Sequence, residues 1–335
     1  MKAVHVPSNA SLETLSVVEV EDPGKPGPGE IRVRIEASSL NFHDYGIVSG
    51  RAPTKEGRIP MADGAGVVEE VGADVSAFVP GDHVVSTFFP TWLDGAPFIS
   101  DFSTTPGDGV DGYAVETVVR PQTWFTHAPD DFSHAEAATL TTAGLTAWRA
   151  LVVDGAIKAG DSVLTLGTGG VSVFALQFAK AMGASVVATS SSDEKLERMR
   201  ALGADHTINY KTTPEWGKTV WDLTEGRGVD HIIEVGGPGT LPQSIDAVAI
   251  GGHIALIGVL TGLAGDIPTR KLMTKQASLR GLIVGSRRHQ MEMVRALETI
   301  DVRPVIDSCF GLDRIADAFR HEEAGAHFGK IVLEL

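Results

Sequence analysis

A short apolar segment that runs into closely spaced glycines constrains this chain more than any other feature. Residues 162–166 have the composition of a buried β-strand, and three glycines follow them: Gly167, Gly169 and Gly170. A segment with helical periodicity, Val171 to Met182, comes next. Glycines at this junction allow a tight turn and a close backbone approach to a phosphate, which the free N–H groups at the helix start then bind. The segment therefore predicts a βαβ unit of the Rossmann type that binds a dinucleotide.

Two further details of this segment bear on its geometry. Thr168 and Val171 complete the turn, whereas Ser172 occupies the position at which the Rossmann fingerprint has its third glycine. Because a serine side chain needs more room than a hydrogen atom, we expect the helix to lie slightly further from the strand. Ser185–Thr189 follows as the second strand at βαβ spacing. The alternative is an ordinary glycine turn in an α/β protein, which would not need all three glycines.

Composition limits the classes of protein that this chain can belong to. Its 335 residues are long for a single hydrophobic core and predict two domains. The net charge of −15 argues against nucleic acid and anionic membranes as partners. A single cysteine, Cys309, excludes an intrachain disulfide and a structural zinc site made of several cysteines. No apolar run has the length of a membrane span, and Met1–Val6 resembles a strand rather than a signal peptide, so we expect a cytoplasmic protein.

The pattern of the chain changes near residue 127. Residues 1–127 contain short strand-like segments such as Ile31–Ile35, separated by turns such as Gly107–Gly109, and they predict a small barrel or partly open β-fold. From residue 128 onward helices alternate with strands, which predicts a parallel, doubly wound sheet. Its strands are predicted at Ser162–Leu166, Ser185–Thr189, His206–Tyr210, His231–Val235, His253–Gly258 and Leu279–Val284.

Several helix ends are also predicted. Ser191–Glu194 has the spacing of a capping box and should start the helix after the second strand, which Gly203 should close. Later helices are predicted around Met291–Thr299 and Leu312–His321. The chain finishes with an apolar strand, Ile331–Leu335, which must return to a sheet to bury its side chains.

A set of motifs distributed along the chain resembles a known family. In chain order they are Asn41-Phe42-His43-Asp44, Asp63–Gly72, Gly81–Val84, Thr142–Trp148 and His327–Val332. Together they resemble the medium-chain dehydrogenase/reductase superfamily over essentially the whole chain. The resemblance implies an α/β protein with a GroES-like catalytic domain, residues 1–127 and 286–335, and a Rossmann domain, residues 128–285. It also implies a homodimer joined at the Leu279–Val284 edge strand.

The resemblance breaks where zinc alcohol dehydrogenases hold their catalytic ion. At the positions at which that group has Cys, His and Cys, this chain has Asn41, Ala62 and Thr142, and the accompanying glutamate is replaced by Asp63. Alanine has no donor atom, and amide and hydroxyl oxygens are poor zinc ligands. We therefore predict no bound metal and expect the chain to be similar to the zinc-independent quinone oxidoreductases and enoyl reductases.

The missing metal restricts the chemistry that the resemblance implies. Without a Lewis acid, reduction of a simple ketone is harder, whereas hydride addition to a conjugated acceptor leaves charge that hydrogen-bond donors can stabilise. The resemblance thus implies hydride transfer from a nicotinamide cofactor to a small quinone or α,β-unsaturated carbonyl. The candidate catalytic residues are Asn41, His43, Asp44, Tyr45 and Thr142. His43, Tyr45 and Thr142 are candidate proton donors, with packing or loop-fixing roles and a proton from solvent as alternatives.

The end of the second strand bears on the choice of cofactor. NAD-specific Rossmann proteins have Asp or Glu there, whereas this chain has Thr189–Ser192. Hydroxyls and the nearby Lys195 suit a 2′-phosphate, so we expect NADPH to be preferred and NADH to be accepted less well. A helix cap at Ser191 and a solvated Lys195 are the alternatives. The predicted cofactor residues are Gly167, Thr168, Gly169, Gly170, Val171, Ser190, Ser191, Lys195, Tyr210, Gly258, Val259, Val284, Ser286 and Arg287.

Two other classes of function stay open at this stage. One is an NAD(P)-dependent alcohol dehydrogenase or carbonyl reductase, including a zinc enzyme with relocated ligands such as His43, Asp44 and Asp63. The other is a nucleotide-binding structural or sensor protein with little catalysis. Turnover measured with quinones, enals and secondary alcohols separates the three.

Overall fold

The computed structural model describes residues 1–335. Its strands are β1 (Lys2–His5), β2 (Ser16–Glu19), β3 (Glu30–Ser39), β4 (Ala65–Val71), β5 (His83–Ser86), β6 (Thr117–Pro121), β7 (Phe125–His127), β8 (Ser162–Leu166), β9 (Ser185–Ser190), β10 (His206–Asn209), β11 (Val229–Glu234), β12 (Val248–Leu256), β13 (Ser278–Gly281), β14 (Ile306–Gly311) and β15 (Lys330–Glu334). Its α-helices are α1 (Phe42–Val48), α2 (His134–Ala138), α3 (Leu145–Trp148), α4 (Gly170–Ala181), α5 (Asp193–Ala201), α6 (Trp216–Leu223), α7 (Leu241–Ala247), α8 (Thr269–Thr274), α9 (Arg287–Leu297) and α10 (Ile315–Glu323). None of these helices has the length and apolar character needed to cross a membrane.

Contacts within the chain divide it into two compact units. Unit 1 comprises Met1–Leu145 and Val284–Leu335, and unit 2 comprises Thr146–Ile283. Along the chain, unit 2 therefore lies between the two segments of unit 1. Residues 128–145, which we expected in the α/β region, group with unit 1 instead. The reason is that α2 packs against β3, β4, β5 and β15, all of which belong to unit 1.

Unit 2 is built on a sheet of six parallel strands. Their order is β10-β9-β8-β11-β12-β13, which is 3-2-1-4-5-6 when the strands are numbered within the unit. This order is the doubly wound Rossmann topology, so the predicted fold class is confirmed. Apolar side chains of β8, β11 and β12 form a core with α6 and α7. Burial of the sheet on both faces explains why consecutive residues of β8 and β11 are buried, rather than every second one.

The last strand of this sheet differs from its predicted extent. β13 spans Ser278–Gly281 and lies at the edge of the sheet, as expected, but it stops before the predicted end at Val284. Val284 has a φ of 44°, which no extended strand can contain.

Unit 1 is built on a seven-stranded sheet with β3 in its middle. The strand order is β14-β15-β3-β4-β5-β7, and β6 also pairs with β3. β14 and β15 are parallel, whereas the other neighbouring strands are antiparallel. Val332 of β15 pairs with Ser39 of β3, and the Leu40 N–H donates to Ile331 O at 3.0 Å. This pairing brings the first residue of β15, Lys330, beside the segment that leads from β3 into α1.

Two helices of unit 1 begin at positions that differ from the predicted ones. α9 begins at Arg287 rather than Met291, because Ser286 caps it: Ser286 Oγ accepts from the His289 N–H at 3.2 Å. α10 begins at Ile315, since residues 312–314 form a separate 3-10 turn.

A π-helical segment, Leu140–Gly144, contains Thr142, and such wide turns are frequent at functional sites.

Candidate active site

The glycine turn after β8 has the geometry of an anion-binding loop. Gly167 has a φ of 76°, a conformation that a side chain would strain. Gly169 is the N-cap of α4, no side chain caps the helix, and a Cβ added at Gly169 meets open space. The N–H groups of the first turn, from Gly170 onward, are therefore available to a phosphate at the positive end of the helix dipole. Thr168 and Val171 flank this opening, so the turn fits the pyrophosphate of a dinucleotide.

Ser172 takes a specific role at the third fingerprint position. Its side chain is buried, and its Oγ donates to Leu166 O, the carbonyl of the last residue of β8, at 2.7 Å. The hydroxyl thus fills the space between α4 and β8 with a hydrogen bond, where a glycine would leave only backbone contact.

The end of β9 presents hydroxyl groups, but the helix cap is not the predicted one. Ser192 is the N-cap of α5, and its Oγ accepts from the Lys195 N–H at 3.3 Å. The prediction that Ser191 starts the capping box is therefore wrong, because the helix begins one residue later. The Ser191 hydroxyl makes no hydrogen bond within the chain. The Tyr210 N–H donates to Ser190 O at 3.0 Å, which brings the partly exposed Tyr210 beside the end of β9.

A buried carboxylate that the sequence analysis missed organises the neighbouring loop. Glu234, the last residue of β11, is completely buried, and its Oε1 accepts from the Gly236 N–H at 2.8 Å. Its backbone carbonyl accepts from the Gly258 N–H at 3.2 Å. A Cβ at Gly258 would lie 2.2 Å from Val235 O, so only glycine fits there, and the half-exposed Val259 follows it. The sequence signal was an acidic residue that ends an apolar strand immediately before glycines.

In unit 1, polar side chains converge on the carboxylate of Asp63. This buried group accepts hydrogen bonds from Ser39 Oγ at 2.6 Å, Asn41 Nδ2 at 2.9 Å and Thr142 Oγ1 at 2.5 Å. The Lys330 ammonium lies 4.0 Å from Asp63 Oδ2. Burial raises the pKa of Asp63, and the Lys330 charge and the three hydrogen bonds oppose that rise.

Lys330 is a buried cation that the sequence analysis did not identify. Its Nζ donates to Asn41 Oδ1 at 2.7 Å and to the backbone carbonyl that precedes Asn41. Burial lowers the pKa of Lys330, and the carboxylates of Asp63, Glu322 and Asp44 act in the opposite direction. The available signal was a lysine that begins a strand whose next three residues are apolar, because lysine is almost never buried unless it is paired.

The side chains at the three positions that would ligate zinc do not fit that ion. Ala62 has no donor atom, Asn41 Oδ1 accepts from the Lys330 ammonium, and the Thr142 hydroxyl donates to Asp63. No group of three or more His, Cys, Asp or Glu side chains is arranged to hold a metal. The relocated set of His43, Asp44 and Asp63 is therefore not arranged as a metal site either. The Asn41 and Thr142 side chains therefore both donate to the Asp63 carboxylate, which lies beside the Lys330 ammonium group.

Asp44 stabilises the backbone around this network. Its Oδ2 accepts from the Asn41 N–H at 3.1 Å, and its Oδ1 accepts from the Ala62 N–H at 2.9 Å. Burial, together with the charge of Asp63, raises the pKa of Asp44 to about 6. These bonds join the start of α1 to residue 62 and favour the loop-fixing interpretation of Asp44.

Tyr45 does not join the network. Its hydroxyl donates to Glu323 of α10, its ring lies 6.3 Å from the Phe319 ring centroid, and the Arg51 guanidinium lies 4.6 Å from the Tyr45 centroid. The geometry favours the packing alternative for this residue.

His43 lies among aromatic rings and beside a carboxylate from a distant loop. Its ring centroid is 5.6 Å from that of Phe88 and 4.4 Å from that of Phe102. Its Nε2 is 3.3 Å from Asp108 Oδ2. Burial lowers the pKa of His43, but the Asp108 contact and the Asp44 charge outweigh burial, so the pKa lies above its ordinary value. Asp108 lies in the Gly-Asp-Gly turn at 107–109, and its sequence predicted a turn but not a contact with His43.

The three predicted cofactor residues of unit 1 are fixed within that unit. Val284 and Ser286 are buried, and Ser286 caps α9. The Arg287 N–H donates to Trp92 O at 2.9 Å, and Arg287 Nε donates to Phe125 O at 3.0 Å. Their predicted contact with the cofactor stays a prediction.

We expect Lys330→Met to lower the free energy of unfolding by about 3–5 kcal/mol, because it leaves the buried Asp63 charge without a cation. Adding Asp63→Asn to this variant should restore part of the loss, since the unpaired charge disappears. Lys218→Met, at a lysine whose side chain is 68% exposed, is the control and should change stability by no more than about 0.5 kcal/mol. Urea unfolding measures the free energy of unfolding of the three variants. A loss in Lys330→Met as small as that in Lys218→Met would contradict the pairing of Lys330 with Asp63.

Comparison with known proteins agrees with this geometry. Residues 27–130 match the alcohol dehydrogenase GroES-like domain, and residues 170–301 match the zinc-binding dehydrogenase family. A zinc-type alcohol dehydrogenase-like protein of Schizosaccharomyces pombe is 43% identical over 97% of this chain and 96% of its own. A chloroplastic quinone oxidoreductase of Triphysaria versicolor is 31% identical over 96% of this chain and 94% of its own.

Solved structures give the same result. A Sinorhizobium meliloti protein is 42% identical, with a TM-score of 0.93 over 100% of this chain and 99% of its own. An NAD-dependent alcohol dehydrogenase is 35% identical, with a TM-score of 0.90 over 100% of both chains. With this fold, a glycine turn that fits a dinucleotide and these relatives, the chain belongs to the medium-chain dehydrogenase/reductase superfamily and is an NAD(P)-dependent oxidoreductase.

Proposed function

We propose that this protein reduces quinones or α,β-unsaturated carbonyl compounds with NADPH and without zinc. The observation that carries the proposal is the arrangement around Asp63. Asn41 and Thr142, at two of the positions that hold zinc in alcohol dehydrogenases, donate hydrogen bonds to one carboxylate, while Lys330 supplies the nearby positive charge. Such a site has hydrogen-bond donors but no set of zinc ligands.

This site suits an acceptor whose charge is delocalised. A dinucleotide whose pyrophosphate is held at the glycine turn of unit 2 would supply the hydride from its reduced nicotinamide. Hydride addition to a conjugated carbon leaves negative charge spread over an enolate or hydroquinone, which hydrogen-bond donors stabilise adequately. The residues of unit 1 then have to orient the acceptor, exclude water and provide a proton, and His43 and Thr142 are the partly accessible candidates.

The alternative of an alcohol dehydrogenase or carbonyl reductase rests on the names of several relatives. An isolated carbonyl concentrates the developing charge on one oxygen, which needs a strong donor or a metal. We therefore place this alternative second.

The test is steady-state turnover with quinones, enals, and secondary alcohols with their ketones, each with NADPH and NADH. We expect turnover with quinones or enals, little with alcohols or ketones, and no loss of activity in the presence of a chelator. Elemental analysis is the companion measurement. One tightly bound zinc per chain, with activity lost on its removal, would overturn the zinc-free mechanism.

The preference for NADPH rests on the end of β9. No carboxylate ends this strand, the Ser191 hydroxyl makes no hydrogen bond within the chain, and Lys195 lies in the first turn of α5. The nearest acid, Asp193, accepts a hydrogen bond from Asn209 Nδ2 at 2.7 Å. A structural relative is named as NAD-dependent, which makes the NADH measurement the decisive control.

Lys195→Ala should lower kcat/KM for NADPH and leave that for NADH nearly unchanged, because only NADPH has a 2′-phosphate. Loss of one charged hydrogen bond of about 1–3 kcal/mol corresponds to a decrease of roughly tenfold or more. Lys211→Ala, on the loop after β10, is the matched lysine control. Equal use of both cofactors by the wild type, or an equal effect of Lys195→Ala on both, contradicts the preference.

We further propose that the protein is cytoplasmic and that it forms a homodimer. The two chains would join at β13, since an open sheet edge is usually covered. Exposed apolar side chains concentrate between residues 259 and 283, including Leu263 at 88% and Met273 at 70% exposure.

Light scattering should give the mass of a dimer for the wild type at micromolar concentration. Leu263→Asp should shift the protein toward monomer, because it would place a charge on the exposed apolar surface proposed to form the contact. Val79→Asp, at an exposed apolar residue of unit 1, should leave the mass unchanged. A monomeric wild type would refute the dimer.

A further inference from the structure

The contact between His43 and Asp108 has a feature that packing alone does not explain. Both side chains are mostly buried, with 21% and 22% of their surface exposed. The His43 Nε2 atom is inaccessible to solvent and 3.3 Å from Asp108 Oδ2, but the angle between them does not form a full hydrogen bond. The other ring nitrogen, Nδ1, makes no hydrogen bond within the chain. One side of the imidazole therefore faces a carboxylate, and the other side has no partner in the protein.

The turn that carries Asp108 is held rigidly. Gly107 has a φ of 85°, and a Cβ there would lie 2.7 Å from the Met61 backbone nitrogen. A Cβ at Gly109 would lie 2.1 Å from the Ser103 backbone. The Gly109 carbonyl also accepts from Arg58 at 2.9 Å. Two glycines that pack tightly against backbone thus fix the position of the residue between them, which is the rigidity that a positioning group requires.

The chemistry of the pair follows from this geometry. A carboxylate next to one imidazole nitrogen holds the proton on that nitrogen, orients the ring and stabilises the imidazolium form. The Asp44 and Asp63 carboxylates act on His43 in the same direction, although they are held in the network around Asn41. Because Asp108 occupies the Nε2 side, Nδ1 is the nitrogen from which an imidazolium can donate.

We propose that Asp108 is a positioning residue that holds His43 for proton donation from Nδ1 to the reduced acceptor. The proposal rests on the proposed function for its substrate, a quinone or α,β-unsaturated carbonyl. The rings of Phe88 and Phe102 beside His43 suit a flat, apolar acceptor of this kind.

The acceptor's C=C π bond breaks as its β-carbon receives the hydride, with both electrons from the reduced cofactor, and the displaced electron pair forms the enolate. The enolate takes the proton from His43 Nδ1, so the C=C bond is reduced and the nicotinamide is oxidised. The imidazole is left neutral and regains its proton from water. Asp108 remains ionised throughout and forms no covalent bond.

The experiment is a double-variant cycle on the full-length protein with NADPH and the best acceptor of the panel. We expect His43→Gln to lower kcat about a hundredfold or more, as for loss of a general acid, and Asp108→Ala to lower it about tenfold to a hundredfold. Asp108→Asn should lie between Asp108→Ala and the wild type, because it retains an acceptor but loses the charge. KM and cofactor affinity should change little. In the His43→Gln background, Asp108→Ala should have no further effect, since Asp108 acts through His43.

Asp101→Asn is the matched control. Asp101 lies in the same loop, but its carboxylate contacts Ser103 rather than His43, so we expect wild-type kcat. A kcat for Asp108→Ala within twofold of the wild type, or losses that multiply in the double variant, would overturn the proposal. An unchanged kcat in His43→Gln would do the same and would point to solvent as the proton source.

A second readout does not depend on turnover. In a proton–nitrogen NMR spectrum of the imidazoles, the His43 Nε2 proton should be slow to exchange in the wild type and fast in Asp108→Ala, with His43→Gln identifying the signal. An unaltered signal in Asp108→Ala overturns the pairing whether or not an acceptor is reduced. If the wild type reduces no acceptor while the signal responds as expected, the proposed function fails and the His43–Asp108 pairing stands.

Discussion

The buried pair of Lys330 and Asp63 is the interaction on which the arrangement of unit 1 depends. Neither charge is stable inside a protein without partners, because burial removes the water that would solvate it. The partners come from distant parts of the sequence: Ser39 ends the central strand β3, Asn41 follows it, and Thr142 lies in a π-helical turn. Satisfying these two charges therefore fixes the relative positions of β3, β15, the start of α1 and the turn around Thr142.

This network also occupies the positions at which zinc alcohol dehydrogenases hold their ion. A metal site needs donors with free electron pairs that point to a common centre. Here the Asn41 oxygen accepts from an ammonium group, and the Thr142 hydroxyl and the Asn41 amide both donate to a carboxylate. The same positions are thus occupied by a set of donors and acceptors that satisfy one another, and the positive charge near them belongs to the protein itself.

Unit 2 shows how strongly short-range chemistry determines a nucleotide-binding turn. Gly167 is required by its positive φ, and Gly258 by the backbone that lies against it. Such demands are local, so the strand–glycine–helix pattern could be recognised without knowledge of the fold. The cap of α5 shows the limit of local reasoning: Ser191 and Ser192 are both good N-cap residues, and only the observed path of the chain at the end of β9 selects Ser192.

The sequence alone determined the Rossmann fold of unit 2, the β-rich character of the first 127 residues, the dinucleotide turn and the absence of zinc-ligand side chains, because each follows from periodicity, glycine placement or residue chemistry. It also predicted that Asn41 and Thr142 belong to one site. The tertiary structure alone decided which groups complete that site. Lys330 is far from Asp63 in the sequence, Asp108 belongs to a turn, and Tyr45 is adjacent to Asp44 yet bonds to Glu323. Pairing of buried charges depends on which strands and loops pack together, and that packing is a property of the whole fold.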